Sequence, residues 1–482
     1  MYFCGKASAM KKYLAILLFS HSLFVTAQSP MRPADGGGEA PMQFHDELST
    51  EERAIIWKNI HDNESYLKTN GKWPENFGTK MSALALEFPL AWNTGFSDYG
   101  FYGISNYVDH NNAYPNVLTD YFCGNRTYDT DAGYNHQGID YFLWPFTWDM
   151  MLDGAVQIVA AAPGMIVGRY DGNFDQNCAF NPGSWNAVYV RHDDGSLAWY
   201  GHMKNGSVTP KALGETVEAG EYLGLVGSSG NSTGPHLHFE LYDADNNLID
   251  PYNGACNSWN AESWWATQPD YIEPRINRIM THDVPPIFNP CPEPETINAV
   301  NVFSPGQLCY FAFYAADLGE TDLVHLSITD PFGEALYDWE WYQPFPYYSA
   351  SFWYWWYTLP DGPEGIWTWE AELAGETYTH SFQLGNAINI EDPAQAAAGL
   401  QAWHSGNTLT MAFNTPEAGT YTVYVCSTTG ALVESFRAVC NAGNNQYALP
   451  TTSWASGMYL IQAIPESQEM AKPLIAKALV AK

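Results

Sequence analysis

Basic residues are scarce in this chain: Lys and Arg total 20 against 53 Asp and Glu, a formal net charge of −33. A protein that binds nucleic acid by neutralising phosphates needs the opposite balance, and docking on anionic lipid is disfavoured for the same reason. Long apolar runs are lacking past the N-terminus, where no stretch reaches the ~18 residues a membrane-spanning helix requires. Cysteine is sparse, 8 in 482 residues, and none falls in a CxxC or CxxxC pair, which argues against a thiolate zinc site. No internal repeat of fixed period is present. What the chain does have is 46% apolar and 15% aromatic residues, with 19 Trp and 31 Tyr. That supply suits packed, β-rich cores and excludes wholesale disorder. At ~150 residues per domain the length suggests about three domains.

Residues 1–27 read as an export signal: Met10-Lys11-Lys12 is a basic start, Tyr13 to Val25 a mostly apolar run, and Val25-Thr26-Ala27 a small-residue cleavage site. Cysteines of an exported chain are expected in disulfides. The local pairs Cys291–Cys309 and Cys426–Cys440 are the expected ones, leaving at least one of Cys123, Cys178 and Cys256 unpaired. Residues 28–97 form a leader: a mobile Pro/Gly-rich stretch to residue 47, then a helix opened by the capping box Ser49-Thr50-Glu51-Glu52. Its apolar positions are Ile55, Ile56, Ile60 and Tyr66, and shielding of the neighbouring β domain is one reading of this segment.

From residue 98 to 275 short strands and turns predict an antiparallel β domain, with strands at Val156–Ala161, Met165–Tyr170, Ala187–Arg191, Leu197–Tyr200, Tyr222–Val226 and Leu237–Tyr242. Asp194-Gly195 marks a hairpin. A proline-rich break precedes a second block, 285–388, of the size of an immunoglobulin-like sandwich. The aromatic run Trp339 to Tyr357 within it reads as sandwich core rather than a stacking platform. A linker, 389–401, leads to a small C-terminal β-sandwich, 402–482. The fold class is therefore mostly β with a short N-terminal helix.

Three short patterns carry chemistry: His136-Gln137-Gly138-Ile139-Asp140, Tyr200-Gly201-His202 and His236-Leu237-His238. With 13 His in the chain, chance alone supplies roughly 0.35 His-x-His pairs, so the pair counts only through its context. His236 and His238 open an alternating strand, where residues two apart share a face. His136 and Asp140, four apart, share a face as well, and Gly138 lets backbone pass closely beneath. Two imidazoles and a carboxylate with one position open to water make a catalytic rather than a structural zinc site, and further imidazoles are then free for acid/base work.

These patterns, with the run Gly227-Ser228-Ser229-Gly230-Asn231-Ser232-Thr233-Gly234-Pro235-His236-Leu237-His238-Phe239-Glu240, resemble the lysostaphin/LytM-type zinc metalloendopeptidases over roughly Tyr99 to Asn253. The resemblance implies one Zn2+ per chain held by His136, Asp140 and His238, with His202 and His236 as the catalytic histidines. It also implies peptide cross-links of peptidoglycan as substrate. Which histidine takes the water proton is left open. Extracellular glycine-rich proteins are the alternative substrate, and a non-catalytic wall-binding adhesin the alternative class. Asn135 and Tyr200 flank the motifs as weak substrate-contact candidates. The loop Asp171–Trp185 and the insertion Trp144–Asp153 are expected as groove walls, His192 as an exposed hairpin residue, and Arg191 and Lys204 as solvated strand ends. No role is assigned to His110.

Gly419-Thr420-Tyr421-Thr422-Val423-Tyr424-Val425, Gly430, Ser456-Gly457-Met458-Tyr459-Leu460-Ile461 and the Lys-bearing end (Lys477, Lys482) resemble the sorting domain of type IX secretion. That resemblance implies secretion machinery as a partner and a secreted or outer-surface location on a Gram-negative bacterium. A monomer is expected.

Overall fold

The computed structural model describes residues 29–41, 45–75, 77, 84–181, 183–385, 399–405, 408–415, 418–427, 432–441, 443–465 and 474–480. The expected export signal, positions 389–398 of the linker, Gly430 and Lys482 lie outside the described residues. No helix among the described residues is long and apolar enough to cross a membrane.

An antiparallel sheet organises the first half of the chain. Its strand order is Tyr102–Asn106, Ile139–Leu143, His236–Tyr242, Leu197–Tyr200, Ala187–His192, Gly164–Tyr170 and Thr216–Val217, with Leu248–Ile249 beside His236–Tyr242. Alternation along His236–Tyr242 explains the layering. Leu237, Phe239 and Leu241 enter a core shared with Ile139, Tyr141, Val188 and the small sheet that carries Val156–Val159. His236, His238, Glu240 and Tyr242 project from the other face. There the leader helix Thr50–Thr69 covers one end, burying Ile60 and Leu67 against Met165, Val167, Trp199 and Tyr242. The capping box forms as the sequence requires, with Ser49 and Glu52 each accepting from the other's backbone N–H. The inward positions are Ile60, Glu64 and Leu67, whereas Ile55 and Tyr66 are exposed; the buried stripe is polar at one point because Glu64 pairs with Arg191 (2.7 Å).

Two sheets form a sandwich in the middle of the chain. One has the order Gly36–Glu39, Tyr347–Thr358, Leu308–Gly319, Arg275–His282, and the other Val302–Phe303, Glu376–Leu384, Gly365–Leu373, Leu323–Thr329, Ala335–Tyr342. The aromatic run supplies its core: Trp339, Trp341, Trp353 and Trp355 are buried with Trp367 and Trp369. Arg275–His282, which precedes the proline-rich break, belongs to this sandwich, and so do residues 36–39 of the leader. The stretch expected to be mobile thus contains a strand. Two further sheets around Leu409, Met411, Phe413, Val423, Val425 and Ile461 form the C-terminal block.

The His236–Tyr242 sheet and the sandwich interlock. Trp144 is fully buried, donates from Nε1 to the Ala315 carbonyl (3.0 Å) and packs with Phe142, Phe146, Ala312 and Tyr314. Asn277 donates to the carbonyls of Tyr102 and Trp144 (2.8 and 2.9 Å). The carboxylate of Glu295 caps the helix Thr147–Asp153 by accepting from Trp148 N and Asp149 N. Trp144–Asp153 is therefore inter-domain packing and core, with Trp148 buried too, and not a groove wall; its aromatic side chains had apolar neighbours to meet on the sandwich.

The disulfides are long-range: Cys123–Cys256 and Cys178–Cys291 (Cα–Cα 5.1 and 5.7 Å), with Cys309, Cys426 and Cys440 free. Both local pairs are overturned, and all three of Cys123, Cys178 and Cys256 are bonded. Cys309 points into the sandwich core, away from Cys291. Cys426 and Cys440 sit at opposite ends of one hairpin, opposite Leu432 and Gly419; seven residues of strand is ~23 Å, beyond the ~7 Å limit for a bridge.

His282, buried at the end of its strand beside the Tyr314 hydroxyl (3.0 Å), is held down to about 4 by burial. The unfolded chain takes up this proton near 6.5 and the folded chain only near 4, so the contribution is whole above pH 6.5 and is lost as pH falls towards 4. Acidification over that window is expected to cost about 3 kcal/mol through this group, and a His282→Gln variant to flatten the denaturation profile measured from pH 7 to 4.

Candidate metal centre

Strand pairing sets the site. His238 lies directly opposite Asp140 in the register of His236–Tyr242 with Ile139–Leu143, so both side chains leave the same face at neighbouring positions. His238 Nδ1 is 2.9 Å from Asp140 Oδ1 and 3.3 Å from His136 Nε2, and His136 Nε2 is 3.1 Å from Asp140 Oδ2. His202 follows the end of Leu197–Tyr200 in a left-handed conformation, φ 57°, a strain of the sort that collects at functional sites. Its ring stands 4.5 Å from that of His236 and 5.0 Å from that of Trp185. The five residues singled out in the sequence thus meet in one buried cluster.

The outer partners fix which nitrogen of each ring faces inward. His136 Nδ1 donates to the Tyr107 carbonyl (2.7 Å), His202 Nδ1 to Ser229 O (2.6 Å) and His236 Nδ1 to Gly234 O (2.7 Å). His238 Nε2 donates to Glu240 Oε1 (2.9 Å). A carbonyl or carboxylate oxygen only accepts, so each outer nitrogen carries a proton, and a neutral ring then presents the lone pair of its inner nitrogen to a cation. Glu240 is itself clamped by Arg53 of the leader helix (2.6 and 2.9 Å) and by the Tyr242 hydroxyl. Burial pushes Glu240 up, but Arg53 and His238 overcome it and hold it down to about 2. Asn106 donates to Asp140 Oδ2 (2.9 Å).

One residue of the cluster had no signal in the sequence. Asp46, fully buried, places its carboxylate 3.3 Å from His238 Nδ1, 3.5 Å from His202 Nε2 and 3.6 Å from His136 Nε2. Burial opposes its ionisation, yet His238, His202 and His136 hold it well below the usual carboxylate range. Two overlapping sets, Asp46-His136-Asp140-His238 and Asp46-His202-His236-His238, each bring their donor atoms within 4.8 Å of one another. Asp46 Oδ2 and His202 Nε2 are buried and make no hydrogen bond. Three buried carboxylates (Asp46, Asp140, Glu240) meet one half-buried guanidinium, Arg53, beside four imidazoles. A divalent cation with N/O preference fits that donor set.

The residues that flank the motifs are held by local contacts. Tyr200 is buried and its hydroxyl accepts from Ala161 N (2.8 Å). Asn135 pairs with Asp129 through its backbone. His192 is buried, its Nδ1 donating to Pro163 O (2.8 Å), because the hairpin folds back onto the sheet. Arg191 is buried against Glu64, and half-buried Lys204 donates to the carbonyls of Met151 and Leu152 that end a short helix. His110 pairs with buried Asp250 (2.9 Å).

Residues 135–251 match the model of Peptidase family M23. The match covers about a quarter of the chain, and all of its motif histidines and Asp140 fall within it. The chain is 48% identical over 58 residues to the DD-carboxypeptidase/endopeptidase Mpg of Neisseria meningitidis serogroup B, 12% of this chain and 13% of that protein. Identity to the peptidoglycan DD-endopeptidase ShyC of Vibrio cholerae is 32% over 99 residues (20% and 22% of the two chains). For the glycyl-glycine endopeptidase ALE-1 of Staphylococcus capitis it is 31% over 109 residues (22% and 25%). The chain spans about an eighth to a quarter of the length of these curated relatives. Among solved structures, the catalytic domain of the prophage-encoded M23 protein EnpA from Enterococcus faecalis is 28% identical, covering 35% of this chain and 96% of that one, with a TM-score of 0.20. The lysostaphin catalytic domain from Staphylococcus simulans is 24% identical, covering 31% and 89%, with a TM-score of 0.21.

Proposed function

We propose that the chain is an exported, zinc-dependent metalloendopeptidase that hydrolyses peptide cross-links of bacterial peptidoglycan. The observation that carries this reading is the convergence of the inner nitrogens of His136, His236 and His238 on Asp140, inside the region that matches the M23 model. In this proposal His136 Nε2, Asp140 and His238 Nδ1 hold one zinc ion. A zinc ion bound there supplies Lewis acidity and brings the pKa of a bound water towards ~7.

The protein's own groups then have distinct tasks. Tyr107, Glu240 and Asn106 orient the ligand side chains from behind. His236, whose Nδ1–H is engaged by Gly234 O, offers its inner nitrogen to take a proton from the attacking water. His202, held the same way by Ser229 O, stands beside His236. Entering as the imidazolium, it hydrogen-bonds the developing oxyanion through its inner N–H and gives that proton to the leaving amine, while His236 gives up the water's proton to solvent after the products leave. Water adds to the acyl carbon, the C–N bond breaks, and carboxylate and amine products leave. Trp185, against both His202 and His238, would wall the groove together with the Asp171–Trp185 loop. The C-terminal block, with sheets and core of its own, is proposed as the sorting domain of type IX secretion, which would place the enzyme outside the outer membrane.

The test is a digest of purified walls by the full chain and by protein treated with a chelator, read by mass spectrometry of the released peptides. Walls cross-linked through D-alanyl–diaminopimelate bonds and walls cross-linked through oligoglycine are run in parallel, since the relatives' names span DD and glycyl-glycine bonds. Cleavage of one link type, lost on chelation and restored by about one zinc per chain, is the expected result. Zinc uptake without wall cleavage would move the substrate to extracellular proteins, and absence of both would leave a binding module.

A further inference from the structure

Beside the metal cluster, a cavity of about 320 Å3 opens between the leader helix and the segment that runs from Tyr170 to Tyr189. Two of its sides are fixed. Helix Thr50–Thr69 is fastened to the sheet by the ion pairs Arg53–Glu240 and Glu64–Arg191 and by buried Ile60 and Leu67, so it is a wall and not a lid. On the sheet side Trp185 and Tyr189 are buried, and Trp185 Nε1 donates to the Tyr189 hydroxyl (2.7 Å). The Tyr170 ring lies 5.8 Å from that of Tyr189. Trp185 belongs to the metal centre as well, its ring 5.0 Å from that of His202 and 5.9 Å from that of His238. One indole is therefore shared between the cavity and the cluster of histidines.

The lining selects for a cation on an apolar stem. Leu48 and Ile56 supply aliphatic surface, and Tyr170, Trp185 and Tyr189 supply three aromatic rings, whose faces attract an ammonium through their quadrupoles. Glu52 and Asp171 add two carboxylates, and no Lys or Arg lines the space among the described residues. Each carboxylate bonds only neutral donors there. Glu52 accepts from the backbone N–H and the hydroxyl of Ser49, and Asp171 from the backbone N–H groups of Gly172 and Gly206. The cations on that part of the helix are engaged elsewhere, Arg53 with Glu240 and Lys58 with Asp62. An anionic ligand would be repelled, whereas an ammonium would complement both charges. The volume stands at the low end of the ~300–1,000 Å3 range of small-ligand sites, which suits one side chain rather than a whole peptide.

We propose that this cavity is a substrate subsite for the amino-ended side chain of a peptidoglycan stem peptide, lysine or diaminopimelate, with the leader helix as its permanent outer wall. The proposal rests on the peptidoglycan reading above. Extended chain advances ~3.3–3.6 Å per residue, so a side chain seated against Trp185 belongs to a residue within one or two positions of the bond at the metal. The amino group is the discriminating feature. A stem whose amino group is acylated by an oligoglycine bridge has lost the charge, whereas the donor stem of a direct link keeps it. Recognition of that charge favours direct D-alanyl–diaminopimelate links over oligoglycine ones, and it makes the leader helix part of the groove instead of its shield.

Calorimetric titration of the full chain with Nα-acetyl-lysine amide, and with the norleucine analogue that has the same stem and no charge, reads the cavity independently of cleavage. The lysine probe is expected to bind at least about tenfold more tightly than the norleucine one. Ser184→Trp, which fills the space from its exposed rim, and Asp171→Asn, which removes one charge, should each weaken the lysine probe severalfold. Tripeptides ending in lysine and in diaminopimelate then show which head the cavity prefers. On soluble cross-linked stem-peptide dimers, acetylation of the free amino group should raise KM severalfold at unchanged kcat, and Ser184→Trp should do the same to untreated dimers. Equal affinity for the two probes overturns recognition of charge. Lysine binding that both variants leave unchanged overturns the cavity as its site. Cleavage indifferent to acetylation and to Ser184→Trp overturns the subsite while the zinc reading stands. Probe binding as expected, with no cleavage of dimers or walls by zinc-loaded protein, overturns the peptidoglycan reading and with it the stem peptide as occupant.

Discussion

Asp140→Ala is expected to abolish wall cleavage and to lower zinc affinity by more than the ~10–100-fold typical of losing an outer-sphere partner. Asp140 is bonded on all sides: His238 Nδ1 at 2.9 Å, His136 Nε2 at 3.1 Å and Asn106 Nδ2 at 2.9 Å. Alanine removes the one carboxylate that the sheet register places against His238 and leaves two inward imidazoles to hold a divalent ion. Asp140→Asn is the sharper variant, because it keeps the volume and removes the charge. Zinc titration with a competing chelator measures the first quantity, and cleavage at saturating zinc the second. Unchanged affinity in both variants would remove Asp140 from the ligand set.

The second large effect is on stability. Arg126→Ala is expected to cost about 3–5 kcal/mol, the range for stranding one partner of a buried ion pair. Arg126 Nη2 meets Asp317 Oδ1 of the sandwich at 2.7 Å, and its Nε and Nη1 donate to the carbonyls of Ile104 and Tyr271. Without it Asp317, 3% exposed, keeps only the Tyr347 hydroxyl and Glu273 N as donors. A thermal midpoint lower by about 10 °C is the expected reading. The double variant Arg126→Met/Asp317→Asn should recover a large part of it, because no uncompensated charge then stays buried. Equal loss in the single and double variants would mean the pair contributes through packing alone.

Local patterns were legible and long-range partnerships were not. Ser49 and Glu52 announce the start of the leader helix because a capping box is complete within four residues. His236 and His238 announce a shared face because strand geometry forces it two residues apart. Asp46 carries no such mark: it sits in a Phe-His-Asp-Glu-Leu stretch with no motif spacing, and the imidazoles it faces, His136, His202 and His238, lie 90 to 192 residues further on. The disulfides failed for the same reason, since Cys178 and Cys291 are 113 positions apart and proximity in sequence suggested others. His192 and Arg191 looked like hairpin surface because the sequence does not show that a leader helix lies across that end of the sheet. Trp144 read as groove wall because the surface that buries it belongs to another domain, whereas Trp148 enters the core beneath its own sheet.

The bridge from Cys178 to Cys291 joins the loop that carries Trp185 to the stretch leading into the sandwich. A chain still in a reducing compartment lacks that staple and the Cys123–Cys256 one, and the loop beside His202 is held there by hydrogen bonds alone, such as those of Asn177 Nδ2 to Ser228 O and Gly230 O. On the proposed exported route, closing the two bridges would be the last covalent step in building this face, completed only where thiols no longer survive.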